Sequence, residues 1–476
     1  MTGRRSLSYF ALLTTLLTLA AAVEASGHVY SRRFGDGASQ TILSVAVDGG
    51  GNAIVTGSFS GSIDLGGGPL TSAGGEDVFV ARLDAGGNHI WSRRFGDAGA
   101  QGSSTVAVDA AGDVYLTGSF YGTVDFGGGS LVSAGGQDVF VVRLDAAGNH
   151  VWSKRFGDAV HQTGSAIAVD SSGNVIVVGA FGGSVNFGGG NLTSAGSTDV
   201  FLAKLTAGGA HVWSKAFGDA GLQSGIGVAV DGSGSVLSIG TFAGTVNFGG
   251  GNLTSAGSND GFVAKLDAAG GHVWSRAFGD TGEDSGNGVA VHGAGDVVVT
   301  GGFQGSADFG GGPLGSAGGT DVFVARYDAT GAHLTSFRAG DASEQEGRAA
   351  AFDAPGDALV AGRFAGSADF GGGALASAGG YDAFLAKRAL GTRLHPVTPC
   401  RVVDTRNADG PLGGPALLVG PSDRVFPIAG ICGIPDGARA VAVNLTVTGT
   451  AASGQLRVYP GDTEASWIPV TTSISF

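Results

Sequence analysis

Four acidic residues, Glu283, Asp284, Glu344 and Glu346, sit in two short runs, TGEDSG and ASEQEG, of a chain that is otherwise poor in charge. Such carboxylates are the hard oxygen ligands that calcium takes, and they are where a calcium-dependent hydrolase or lyase would place its chemistry. Asp284 also belongs to a second series. Gln40, Gln101, Gln162, Gln223, Asp284 and Gln345 recur at one spacing and supply the amide and carboxyl groups that could ring a polar ligand. A third series is His28, His89, His150, His211, His272 and His333, each 61 residues after the one before. Six equivalent histidines spread that evenly cannot converge on one metal, so a turn-bonding role is expected for them.

The spacing is the dominant fact of the sequence. Each histidine opens a run such as HVWSKRFGD at 150–158, and VAVD-type and DVFVARLD-type runs keep the same step. A fixed period of this length signals stacked supersecondary units. Within one unit, DVYLTGSF alternates in side-chain character, as a strand does. STVAVD, QDVFVVRLD and HVWSKRFGD read as three more strands, joined by the turns AAG and AAGN. Ninety-two glycines cluster between these runs, where turns need them. No helical period occurs after residue 25.

VAVDAAGDVYLTGSF followed by DVFVVRLDAAGNHVWSKRFGD resembles the bacterial β-propeller repeat called SBBP, over about residues 28–390. The resemblance and the strand count imply an all-β, six-bladed β-propeller of four-stranded blades. One surplus outer strand, HVYSRRFGD at His28, stands at the start, and the sixth repeat lacks one. Pairing of His28–Asp36 with the strand near Asp382 would close the ring within a single chain, so a monomer is expected. Trp91, Trp152, Trp213 and Trp274 are expected to pack between blades. The two short turns fall on one face of the disc. The long connections, FGDAGAQGSS and YGTVDFGGGSLVSAGG, fall on the other, and loops on a rigid scaffold are where binding concentrates. In the second of these, Phe126 and Leu131 should pack a small projecting hairpin with Gly127–Gly129 at its tip. The glutamine series would then ring the channel mouth, with a calcium site at the four acids as the alternative use.

Residues 1–25 read as a secretory signal peptide, with Arg4 and Arg5 before the apolar stretch Phe10–Ala22 and cleavage near Ala25. No later segment is apolar enough to span a bilayer. The net charge of −14 argues against nucleic acid as a partner. After a linker at 391–399, the motifs PCRVVDTR, GICGIP and AVAVNLTVT resemble a C-terminal module of secreted actinobacterial and myxobacterial proteins. It is β-rich over 400–476 and expected to be truncated. Its two cysteines, Cys400 and Cys432, are expected to form a disulfide in an exported chain.

No nucleophile–base set, zinc spacing or phosphate loop is present. The expectation is therefore a secreted or cell-surface binding scaffold, not an enzyme, with no cofactor, that meets an extracellular protein or glycan on the long-loop face. A calcium-dependent hydrolase or lyase at the channel mouth and a purely structural surface or matrix component are the alternatives.

Overall fold

The computed structural model describes residues 30–388, apart from 294 and 354–355, and the short strands 455–456 and 474–475. The chain divides into two compact units, Met1–Ala389 and Leu390–Phe476. The segments expected to be a signal peptide and a linker, and both cysteines, lie outside the described residues. In the second unit Gln455–Leu456 and Ile474–Ser475 form an antiparallel pair.

The first unit is a six-bladed β-propeller, and its described residues form strands and no helix. In the third blade, Gln162–Val169 is innermost, followed by Val175–Phe181, Asp199–Leu205 and His211–Phe217. The four pair antiparallel in that order. The innermost strands of successive blades lie against one another. The second and third strands of this blade are buried almost throughout, and the outermost is only partly so. A glycine in the second strand is obligatory. A Cβ on Gly179 would sit 1.9 Å from the carbonyl oxygen of Thr163 in the neighbouring strand, and a backbone atom cannot step aside.

The inner strand starts earlier than alternation suggests, at Gln101 in the second blade, because a bulge interrupts it. The register shifts between Gly164 and Ala166, and likewise between Gly225 and Gly227, Gly286 and Gly288, and Gly347 and Ala349. A bulge leaves one residue out of the ladder and re-aims its side chain. Here that residue is Ser165, Ile226, Asn287 or Arg348.

Blades are riveted together by repeated contacts. The indole of Trp152 lies over Gly209 of the next blade and donates to the Ala207 carbonyl at 2.9 Å. Arg143 donates to that same carbonyl at 2.8 Å and pairs with Asp113 of its own blade at 2.6 Å. Trp91, Trp213 and Trp274 repeat the indole bond on Ala146, Ala268 and Ala329. The inter-blade role expected of the tryptophans is therefore what they perform, and the apolar clusters cross the same boundaries.

The two ends of the row differ from the sequence expectation in one respect. Five blades have four strands, and the sixth, Gln345–Phe352, Ala358–Phe364 and Asp382–Arg388, has three among the described residues. Tyr30–Asp36 carries no strand pairing. It does occupy the place of a preceding outer strand on the flank of the first blade. Tyr30 lies over Gly87, Arg32 donates to Asn88 at 3.0 Å, and Phe34 packs beside Ile63 and Leu65.

Candidate functional site

The glutamine series lies at the root of the long loops, and the fold uses its amides internally. Gln162 is buried. Its Nε2 donates to Asp158 at 2.8 Å and to the Gly182 carbonyl at 2.9 Å, while its Oε1 accepts the Asp158 amide at 3.1 Å. Gln101, Gln223 and Gln345 repeat the arrangement, and Gln40 bonds Asp36 and the Ser60 carbonyl. The partnered aspartate then caps the next hairpin: Asp158 accepts the Val160 and Ser184 amides. Burial alone would raise the Asp158 carboxyl, but these donors and Gln162 hold it below the usual carboxylate range. The amides thus tie loop to hairpin rather than face a ligand.

The hairpin forms as expected, with Thr123–Asp125 pairing Ser130–Val132, but it does not project. Phe126 is buried between Phe95 of the previous blade and Phe140 of its own, with ring centroids 4.9 Å apart in both pairs. The tip folds down onto the start of the outer strand. A Cβ on Gly128 would lie 2.0 Å from His150 Cε1, so the imidazole occupies the room that side chain would need. His150 Nε2 meets Ser153 Oγ at 3.0 Å, and His89, His211, His272 and His333 do the same. Hairpin and histidine are therefore one device, a wedge filling the outer gap between blades.

What remains on the long-loop face is small and closely packed. Gly196 of the SAG turn lies so near Ala220 of the next loop that a Cβ would meet its Cα at 2.4 Å. Parallel bridges join Thr198 to Leu222 and Asn259 to Glu283. The repeats differ from one another here. At one loop position stand Ala100, His161, Leu222, Glu283 and Glu344; facing it stand Glu76, Gln137, Thr198, Asn259 and Thr320. Tyr121 joins the group through its ring, 5.8 Å from that of His161. The bulged residues beside them vary as well. None of these was singled out by residue type, apart from Glu283 and Glu344; comparing the repeats with one another would have found them.

Over blades four to six these positions line a cavity of about 250 Å³, shared by Asn259, Glu283, Asp284, Thr320, Glu346 and Tyr381. The four acids expected as a calcium site do not act as one set. Glu283 accepts from Ser258 and, at 2.9 Å, from Asn259. Glu344 accepts the Tyr381 hydroxyl, and Glu346 pairs with Arg348 and Arg363 at 2.7 and 3.0 Å. Among the described residues no three His, Cys, Asp or Glu side chains converge in a way that could hold a metal ion.

Asp284 is the departure in the lattice. Standing where four blades have a buried glutamine, it accepts the Asp280 amide at 3.1 Å and the Gln304 amide at 3.0 Å. Burial pushes its carboxyl up to about 7, and the neighbouring charges of Asp260 and Asp280 add to the rise against those two amides. Asp260 is buried too and is raised mainly for the same reason. Its counterparts Asp77, Asp138 and Asp321 have arginine partners, Arg94, Arg155 and Arg338. Blades three and four carry Ala216 and Ala277 at the arginine's position, and Asp199 and Asp260 lie raised beside them.

No family model and no curated protein matches the chain. Solved structures that share the architecture include Sqt1 from Chaetomium thermophilum, at 12% identity and a TM-score of 0.36, covering 72% of this chain and 83% of that one. A glucose dehydrogenase matches at 13% identity and a TM-score of 0.32, over 62% and 91%. Regucalcin from Agrobacterium tumefaciens matches at 11% and 0.29, over 67% and 81%. Likeness at this level says nothing about activity.

Proposed function

We propose that the chain is a secreted or cell-surface binding scaffold, non-catalytic and built of SBBP-type repeats, that engages an extracellular protein or glycan through its long-loop face. One observation carries the reading. The repeats keep the same internal lattice of aspartate, glutamine, histidine and tryptophan, yet diverge at a few positions per blade that lie together on one face. A constant frame under a varied surface suits recognition, because binding is discriminated by surface side chains while the frame holds them in place. Export rests on the leader at 1–25, and the tail is assigned to the secreted module on its three motifs. The test is a glycan array and a panel of immobilised envelope proteins probed with residues 26–476. Selective binding that His161→Ala or Leu222→Ala weakens at unchanged melting temperature supports the reading; binding to no probe, or binding indifferent to the loop variants, overturns it.

A second reading rests on Asp284, a carboxyl held near neutrality in the cavity. A channel-mouth hydrolase predicts turnover on some polysaccharide or ester that Asp284→Asn abolishes. A scaffold predicts that this variant binds as the wild type does.

A further inference from the structure

Each boundary between blades brings the same two faces together, and the row leaves one of each uncovered. Val106 on the inner strand of the second blade is 7% exposed because the first blade covers it; Val45 and Val47 at the matching face of the first blade are 61% and 62% exposed. At the other end, Leu385 is 70% exposed, whereas its counterparts Val80, Val141, Leu202 and Val263 are fully buried. Asp382–Arg388 also has a free edge among the described residues, and such an edge is a template for another strand. A strand of the right sequence exists. His28–Phe34 repeats the outer-strand motif, and Tyr30–Asp36 is already seated on the first blade.

We propose that these two ends join between chains, so that the amino-terminal strand of one copy completes the sixth blade of a second copy, head to tail. The internal pairings set the register. Phe79 faces Arg94 and Ala81 faces Ser92, which places Arg33 opposite Phe384 and Ser31 opposite Ala386. Charge agrees with register. In three blades an arginine at the Arg33 position pairs with the aspartate opening the third strand: Arg94 with Asp77, Arg155 with Asp138, Arg338 with Asp321. Arg33 is exposed, and Asp382 accepts the Ala378 amide at 2.5 Å. Val45 and Val47 of one copy then cover Leu385 of the other as Val106 covers Val80. Among the described residues, the ends of a single chain do not pack together as successive blades do. The contact is heterologous, so each copy added presents the same free ends again.

The experiment is sedimentation velocity with light scattering on residues 26–476, across a hundredfold range of concentration. The wild type is expected to form dimers and longer species that grow with concentration, and Arg33→Glu and Asp382→Arg are each expected to be monomeric with unchanged circular dichroism. Mixing the two variants is the decisive arm. Arg33→Glu offers a strand that matches the edge of Asp382→Arg, and its own Asp382 edge still matches Arg33 of the other variant, so the mixture is expected to regain dimers and longer species in which the two variants alternate. A wild type that stays monomeric throughout, or a mixture with no dimer, overturns the proposal and favours closure within one chain.

Discussion

Asp284→Gln restores to the fifth blade the residue that the five others have at the same place, and its effect should depend on pH in a defined way. The folded carboxyl is pushed from 3.8 up to about 7. Below pH 4 it is protonated in both folded and unfolded chains, and it costs nothing. Between pH 4 and 7 the unfolded chain ionises while the folded one holds its proton, so stability falls as pH rises. Above pH 7 both forms are ionised and the penalty is constant. Three pH units at ~1.4 kcal/mol each set a ceiling of about 4 kcal/mol. For a propeller of this size that is a rise of about 5 °C in Tm. The introduced glutamine can make the bonds that Gln162 makes to Asp158 and Gly182, with Asp280 in the part of Asp158. Thermal melts of both proteins at half-unit steps from pH 4 to 8 would read the difference. It should be near zero at pH 4 and rise to a plateau by pH 8. A difference that is flat across the range, or largest in acid, would refute the reasoning.

Other outcomes follow from the same lattice. Ala216→Arg supplies Asp199 with the partner that Asp77 has in Arg94, and should stabilise the chain by about 1–2 kcal/mol at pH 7. Because the new cation lowers the folded pKa of Asp199, that gain is lost as pH falls below about 4, which melts at pH 7 and pH 3 would show. Gly179→Ala places a methyl 1.9 Å from the Thr163 carbonyl and should cost about 3 kcal/mol or more, seen as a lowered denaturation midpoint.

The period, the strand count and the blade order were legible because the histidine, tryptophan and DVFVARLD runs keep one spacing without a gap. Alternation placed the outer strands correctly. It placed the inner ones late, since a bulge among glycine and serine hides the period of two at Gln101–Ser104. The hairpin was legible from its triple glycine, but its direction was not. Only the structure shows that Gly128 is bare because His150 lies against it, although the two recur together in every repeat from the first blade to the fifth. Residue type suggested that the glutamines face a ligand. A buried amide that bonds its own loop is made of the same residue, and only burial tells the two apart.

The central claim is that the varied loop positions, not the repeated lattice, do the binding. It is tested most directly by a uniform-loop variant with His161, Leu222, Glu283 and Glu344 all changed to alanine, the residue already present at Ala100. Array binding by this variant and by the wild type, measured side by side, should differ completely, while the melting temperatures agree to within about 3 °C, as for surface substitutions in general. Undiminished binding by the uniform-loop variant would contradict the account.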